Sequence, residues 1–273
     1  MVRLIAGYVG VGLIVAAVGL ILFRTPGPRW REPNRRGVLL PVTLGWALAL
    51  GVAATGYVVW RQQTVLGLRD SQAGELLGAA IVFAAGVLDD GFGGDVRGLR
   101  GHLHALAGGR FTTGALKIAA AILAAAIAVA WTPRMSTWAN LLALLTIAGC
   151  TNVWNGLDVA PGRATKGFLV VAVVLLLVDT KAFLLICTGA ATAVLFPDVR
   201  ERAMLGDAGA NLLGFLAGAE IVRRLPEPWL PVAAAVVIGL NLLAETFTFT
   251  RTIEAIPPLR WFDRLGRVTE PTS

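Results

Sequence analysis

Long apolar segments recur along the chain, separated by short polar connections, and this pattern predicts a series of membrane-spanning helices. We identify nine of them, at 4–23, 38–60, 72–88, 113–131, 136–151, 167–178, 181–196, 208–222 and 229–250. A helix needs about 20 apolar residues to cross the hydrocarbon layer, and a backbone in lipid must satisfy its own hydrogen bonds, as a helix does. The sixth and seventh segments are short, and only Asp179-Thr-Lys181 separates them. The pattern predicts an all-α, polytopic bundle of about nine spans.

The first segment shares one property with a signal peptide, because Arg3 precedes its apolar core. The core is long enough to span, it ends in Arg24-Thr-Pro-Gly-Pro, and it lacks an A-x-A cleavage site. We therefore expect an uncleaved first span.

The composition agrees with a membrane protein, since 56% of the 273 residues are hydrophobic and only 15% are charged, against roughly a quarter charged in soluble domains. Cys150 and Cys187 lie in apolar segments, which indicates buried thiols and not a disulfide framework. No nucleic-acid module or internal repeat is visible, and anionic lipid or phosphorylated substrates account for the net charge of +7. We expect residues 1–273 to form one integral-membrane domain.

The distribution of Lys and Arg predicts the orientation. Sixteen of them lie in 24–37, 89–112, 152–166, 197–206 and 251–273, and seven lie in the connections of the opposite side. The more basic connections face the cytoplasm in membrane proteins. This predicts an outside N-terminus, a cytoplasmic C-terminus and a location in the cell membrane.

Two adjacent carboxylates, Asp89 and Asp90, end the apolar run 76–88 and are expected on the cytoplasmic side. Ionised carboxylates at a helix mouth are costly unless a cation offsets them. A glycine-rich, basic stretch over 91–110 follows and suggests a polar site with room for phosphate.

Two further polar clusters fall at the same predicted membrane face. Asn152, Asn155 and Asp158 are spaced i, i+3, i+6, which places three oxygen-bearing side chains on one arc of a helix; simple helix termination is the alternative. Asp207 and Asn211 are spaced i, i+4 at the start of the eighth segment, where Asp207 suits either Mg²⁺ and phosphate or an ordinary N-cap. Gly214 and Gly218 further along predict close helix packing.

Lys117, about one turn into the fourth segment, has two interpretations. It either snorkels to the interface or supplies a fixed positive charge to the Asp89-Asp90 site. His102 and His104 are the only histidines and do not complete a zinc set, so we expect structural or interfacial roles for them. The alternative is a contact to phosphate or sugar, together with Arg97 and Arg100.

Taken together in order, Gly86-Val-Leu-Asp89-Asp90, Asn152-x-x-Asn155-x-x-Asp158 and Met204-Leu-Gly206-Asp207-x-Gly209 resemble the motifs of the polyprenyl-phosphate N-acetylhexosamine-1-phosphate transferases. This family includes phospho-N-acetylmuramoyl-pentapeptide transferase of peptidoglycan synthesis and the UDP-GlcNAc:polyprenyl-phosphate GlcNAc-1-phosphate transferases. The resemblance runs from about residue 30 to 266, and Pro33-Asn-x-x-Gly37 is similar to the family's early cytoplasmic loop.

The resemblance implies a Mg²⁺-dependent enzyme, with Mn²⁺ as an alternative ion, that transfers a sugar-1-phosphate from a UDP-sugar to polyprenyl phosphate and releases UMP in cell-wall or surface-glycan synthesis. It implies that Asp89, with Asp90, acts on the lipid phosphate, and that Asp207, with Asp89, binds the metal. Substrate contacts are expected from Lys117, Asn152, Asn155, Asp158, Asn211, Arg260 and Arg264. A homodimer through small-residue helix faces is a further expectation.

The sequence differs from the family pattern at two places. Val-Ala-Pro-Gly-Arg163 follows Asp158, where relatives have Gly-x-Asp-Gly-Leu, and Pro258-Leu-Arg260-Trp-Phe262-Asp-Arg264 replaces a histidine-rich loop. Arginine binds phosphate well but does not exchange protons near neutrality. Two alternatives therefore stay open: a non-catalytic relative that binds polyprenyl phosphate or a partner, and an ion-coupled transporter, which predicts acidic residues near helix midpoints.

Overall fold

The chain folds as an α-helical bundle with one small β-hairpin. The structure, a computed structural model, describes residues 2–22, 24, 27–34, 36–65, 72–93, 101, 104, 105, 107–109, 112–131, 136–179 and 181–268. Its long helices are α1 (Val2–Leu22), α2 (Leu44–Val65), α3 (Ala73–Phe92), α4 (Thr113–Ala130), α5 (Thr137–Leu157), α6 (Arg163–Val178), α7 (Ala182–Val199), α8 (Gly206–Arg224) and α9 (Leu230–Phe247). Two short helices follow, α10 (Phe249–Ala255) and α11 (Pro257–Arg264), and strands β1 (Arg31–Pro33) and β2 (Leu39–Pro41) form the hairpin.

Each of the nine predicted apolar segments coincides with one long helix of the described residues, so the all-α prediction is confirmed. Among the described residues, four helical stretches are long and apolar enough to cross a membrane: Leu44–Arg61, Thr113–Ala130, Ala182–Val199 and Glu227–Phe247. We therefore describe the chain as a helical membrane protein. Nine spans and their orientation stay predictions.

The second helix begins later than the sequence pattern predicts, because a hairpin occupies the start of the segment 38–60. Strands β1 and β2 pair antiparallel, with Arg31 opposite Pro41. Gly37 turns the chain between them with φ of +73°, a left-handed conformation that glycine adopts without strain. Val42 then forms a parallel bridge to Met204, which ties the hairpin to the segment before α8.

Helix α8 is the centre of the bundle, with nearly every residue buried against α2, α3, α5 and α6. A Cβ atom added to Gly214 would lie 2.7 Å from the carbonyl oxygen of Cys150, and one added to Gly218 would lie 2.8 Å from the Cα of Ile147. Real Cβ atoms do not approach so closely, so both positions need glycine. The predicted close helix packing is confirmed.

Charged side chains collect at the two ends of the bundle. At one end, the last turns of α3, α5 and α7 meet the first turns of α4, α6 and α8, and this end carries the candidate site described below. At the other end Arg223 bonds to the buried Glu75, and Arg224 bonds to the buried Glu220. Ser136 there donates to Glu227 at 2.7 Å.

Candidate functional site

Lys117 lies between two carboxylates from different helices. Its Nζ is 2.5 Å from Oδ2 of Asp89, at the end of α3, and 3.0 Å from Oδ2 of Asp207, at the start of α8. The Lys117 and Asp89 side chains are largely buried, with 15% and 14% exposed. We call these three residues the Lys117 cluster. Of the two interpretations of Lys117, the structure shows the positive charge that faces the carboxylates.

Asp90 caps helix α8 from outside that helix. Its Oδ1 accepts from the backbone N–H of Asp207 at 2.7 Å, and its Oδ2 accepts from that of Ala208 at 3.0 Å. The residue at the N-cap position of α8 is Leu205, which supplies no side-chain bond. Because Asp90 satisfies these N–H groups, the carboxylate of Asp207 is free to reach Lys117. Asp207 is therefore not the N-cap that the sequence left as an alternative.

Close backbone approach makes this arrangement possible. A Cβ on Gly86 would lie 2.4 Å from the Cα of Ala208, so α3 and α8 touch where Asp90 reaches across. Gly206 has φ of +71°, and a Cβ there would lie 2.2 Å from Cγ1 of Val42. Gly86 and Gly206, two of the glycines in the motifs, are thus required by geometry.

The three polar residues at the end of α5 do not share one site. Asn152 is exposed and donates to Oδ1 of Asn241 on α9 at 2.6 Å, which links two helices. The Oδ1 atom of Asn155 is buried and, within the described part of the chain, has no hydrogen-bond partner. Asp158 is the C-cap residue of α5. Asn152 is therefore assigned to a contact with α9, and Asn155 and Asp158 stay candidates for the site.

Asp158 lines a cavity of about 310 Å³ at the same end of the bundle as the Lys117 cluster. Asp198 and Glu201 also face this cavity, and its wall continues through Met204 and Leu205 towards Asp207. Three acidic side chains therefore line a space large enough for a polar group of a substrate.

Sequence reasoning missed Asp198, which ends the apolar run of α7 much as Asp89 ends that of α3. Asp198 is buried, and its Oδ2 accepts from the hydroxyl of Thr165 at 3.4 Å, near the start of α6. Gly162 in the intervening turn has φ of +71°. Asp198 thus helps to fix the turn that follows Asp158. The sequence signal that could have identified Asp198 is an apolar run that ends in an acidic residue, as at Asp89.

The hairpin supplies a further acidic residue that sequence reasoning missed. Burial of Glu32 in β1 and the nearby Asp89 charge raise its pKa above the ordinary value. The adjoining loop is held by Glu201, whose Oε2 accepts from Asn34 Nδ2 at 2.5 Å and from Arg36 Nε at 2.9 Å. The loop that resembled a family motif is therefore attached to the chain segment before Asp207.

The remaining predicted site residues lie apart from the cluster. Asn211 is buried in α8, one turn after Asp207. Arg260 and Arg264 are exposed on α11, and within the described residues neither bonds to the Lys117 cluster. The stretch 91–110 is described only in part, and Gly94, Arg97, Arg100, His102 and Arg110 lie outside the described residues.

The donor atoms of the cluster suit a hard divalent cation only in part. Carboxylate oxygens are preferred Mg²⁺ ligands, and Asp89 and Asp207 already approach one positive centre. Among the described residues, however, no group of three or more His, Cys, Asp or Glu side chains is placed to hold a metal ion. Any ion here would need ligands from water or from a bound phosphate, as Mg²⁺ commonly does.

No protein-family model and no curated protein matches the chain.

Proposed function

We propose that the chain catalyses Mg²⁺-dependent transfer of a sugar-1-phosphate from a UDP-sugar to polyprenyl phosphate at the cytoplasmic face of the cell membrane, with release of UMP. The observation that supports this most is the Lys117 cluster. It joins Asp89 and Asp207, the acidic residues of two motifs far apart in the sequence, through one ammonium group. Two carboxylates and a cation at a membrane face suit a reaction between two phosphorylated substrates.

In the proposed reaction an oxygen of the lipid phosphate attacks the sugar-linked phosphorus, and the phosphoanhydride bond to UMP breaks. Asp89 orients or deprotonates the attacking phosphate. Lys117 offsets part of the negative charge of the two aspartates before substrate binds, and then offers its charge to the incoming phosphates. Asp90 acts as a positioning residue, because its bonds to the backbone of α8 fix Asp207.

Asp207 and Asp89 are the residues that would hold Mg²⁺, together with oxygens of the pyrophosphate. When bound, Mg²⁺ neutralises pyrophosphate charge and stabilises the leaving UMP. Because the described residues offer two carboxylates and no third ligand of this kind, we expect weak Mg²⁺ binding without substrate and tighter binding with the UDP-sugar.

The cavity beside Asp158 suits the nucleoside better than the phosphates. Its acidic side chains, Asp158 and Asp198, repel anions but accept hydrogen bonds from ribose hydroxyls or from the uracil N–H. The buried, unbonded Oδ1 of Asn155 is a further acceptor at this end of α5, and buried polar atoms are normally bonded. We assign this region to the nucleoside.

The proposal is tested by an activity assay on membranes that contain the protein, supplied with polyprenyl phosphate, Mg²⁺ and a panel of UDP-sugars. We expect UMP and a lipid-linked sugar phosphate, and we expect both products to disappear with Asp89→Asn and with Asp207→Asn. Asp179→Asn is the matched control, because that aspartate is about half exposed at the opposite end of the bundle. UDP release would instead indicate ordinary glycosyl transfer and would contradict the proposal.

A second candidate is a non-catalytic protein that binds polyprenyl phosphate. The observation that favours it is α11, whose arginines stand where the transferase family that the sequence resembles has histidines, so this segment carries no group that exchanges protons near neutrality. Lipid binding that depends on Asp89 and Lys117, without turnover of any UDP-sugar, would support this candidate.

A further inference from the structure

Helix α11 is attached to the bundle by its polar side. Asp263 is buried, and it accepts from Arg163 through Nε at 2.8 Å and Nη2 at 3.0 Å. Arg267 donates to the same carboxylate at 2.5 Å. Lys166 donates to the backbone carbonyls of Phe262, Asp263 and Leu265 at the end of the helix, at 3.2, 2.8 and 2.7 Å. Bonds to charged groups therefore hold α11 against the start of α6.

The apolar side of α11 points away from the protein. At about 100° per residue, Trp261 and Leu265 lie roughly 160° from Asp263, on the opposite side of the helix. They are 67% and 50% exposed, and Phe262 next to Leu265 is 36% exposed. This arrangement is the reverse of a helix on a soluble domain, which turns its apolar side to the core. Exposed apolar patches of this kind mark a contact surface.

The position and flanking charges of α11 indicate a lipid surface as the partner. The helix begins ten residues after Phe247, where a candidate membrane span ends. Tryptophan is enriched at the level of lipid headgroups, and Trp261 is more exposed than the other large apolar residues of α11, Leu259 and Phe262. Arg260 and Arg264 are exposed on the flank of the helix, where anionic headgroups would lie.

We propose that α11 lies in the headgroup layer of the leaflet at the candidate-site end, with Trp261 and Leu265 among the acyl chains and with Arg260 and Arg264 at anionic headgroups. The Asp263 bonds hold the helix in this orientation. This placement of α11 would also bring the two arginines to the depth of a lipid phosphate. The proposal does not depend on the proposed transferase activity.

A fluorescent probe at position 261 tests the depth of the helix. The Trp261→Cys chain is labelled with an environment-sensitive fluorophore in phosphatidylcholine–phosphatidylglycerol nanodiscs; the native Cys150 and Cys187 are buried. We expect blue-shifted emission that lipid-attached doxyl groups quench and aqueous iodide does not. The control is Glu254→Cys, an exposed position on α10, where iodide should quench more strongly than lipid.

Two outcomes would overturn the proposal. Strong iodide quenching at position 261, equal to that at position 254, would mean that the apolar side faces water. Protection from iodide without lipid quenching would mean that protein covers the helix, either a second copy or another chain.

The contact between the arginines and anionic headgroups is tested by comparing nanodiscs with and without phosphatidylglycerol. With a probe at Leu265→Cys, addition of phosphatidylglycerol should increase quenching by doxyl lipids, and Arg260→Gln with Arg264→Gln should abolish this increase. Arg61→Gln, at the far end of α2, should leave it unchanged. A phosphatidylglycerol effect that survives the double substitution would contradict the assignment of headgroups to these arginines.

Discussion

The charge of Lys117 allows Asp89 and Asp207 to lie close together in a largely buried site. Without it, Asp89 and Asp207 would be two carboxylates close together in a largely buried place, where repulsion and lost hydration both act against folding. The lysine offsets both effects, at 2.5 and 3.0 Å. A bound cation or phosphate group can enter only by rearranging these contacts, so the cluster links substrate binding to the position of one side chain.

Removal of this charge should destabilise the protein strongly. Lys117→Met leaves Asp89 without its partner in a site that is largely buried, and loss of one member of a buried pair costs about 3–5 kcal/mol. Lys181→Met is the matched control, because Lys181 pairs with Asp179 where both are about half exposed, and exposed pairs contribute about 1 kcal/mol or less. Thermal unfolding in detergent measures both, and equal losses would contradict the contribution assigned to Lys117.

The attachment of α11 to the bundle should be lost when the pH becomes acidic. Burial alone would raise the pKa of Asp263, but the bonds and charge of Arg163, with the charge of Arg267, lower it below the ordinary value. A carboxyl whose folded pKa is lowered stabilises the fold above its unfolded pKa of about 3.9, and this contribution is lost as the pH falls through the folded pKa. A spin label at Leu265→Cys should therefore stay immobile from neutral pH to about pH 4 and become mobile below it.

Asp263→Asn provides the comparison for this titration. The amide cannot hold the charge that binds Arg163, so the label should be mobile already at neutral pH and its mobility should change little on acidification. A transition of the unsubstituted chain near neutral pH, or an immobile label in Asp263→Asn, would show that other contacts hold α11.

At the scale of the elements, the important contact is the one between α3 and α8. The carboxylate of Asp90 completes the first turn of α8 by accepting from the backbone N–H of Asp207, 117 residues later in the chain. This explains why two aspartates stand side by side: Asp89 reaches Lys117, and Asp90 bonds to the α8 backbone. Sequence alone predicted a site at Asp89-Asp90 but not this division, because the pairing of helix ends is a property of the bundle and not of local pattern.

A methyl group between these helices should separate them. Gly86→Ala places a Cβ 2.4 Å from the Cα of Ala208, and because backbone cannot rotate away, the helices must move apart at a cost of about 1–3 kcal/mol. The bonds from Asp90 should weaken with it. We expect a lower unfolding temperature and faster amide exchange at residues 207 and 208.

Gly239→Ala is the control for Gly86→Ala. Position 239 lies in α9 with nothing within 4 Å of an added Cβ, so the substitution should be neutral or should stabilise the helix by up to about 1 kcal/mol. If Gly86→Ala were as harmless as Gly239→Ala, the close contact of α3 and α8 would be contradicted.

For the whole molecule, apolar segment length predicted the position of every long helix in the described residues, because burial in lipid and burial in protein both demand apolar runs. The pattern did not predict the hairpin, since Leu39 and Leu40 continue the apolar segment and only Pro33, Gly37 and Pro41 disturb it. Helical spacing also overstated the Asn152 set, because Asn152 donates to Asn241 on α9, a neighbour that sequence spacing does not reveal.

The orientation of the bundle is the remaining prediction at this scale. Sixteen Lys and Arg residues fall on the predicted inner side and seven on the outer side, and the excess of positive charge sets the side that stays in the cytoplasm. Lys181, between α6 and α7, and Glu254, on α10, lie at opposite ends of the bundle, and both are exposed. A membrane-impermeant maleimide should label Lys181→Cys in intact cells and Glu254→Cys only after permeabilisation. Reversed labelling would place the Lys117 cluster outside the cell, where no UDP-sugar is supplied, whereas labelling of both positions from one side would contradict the arrangement of the helices across the membrane.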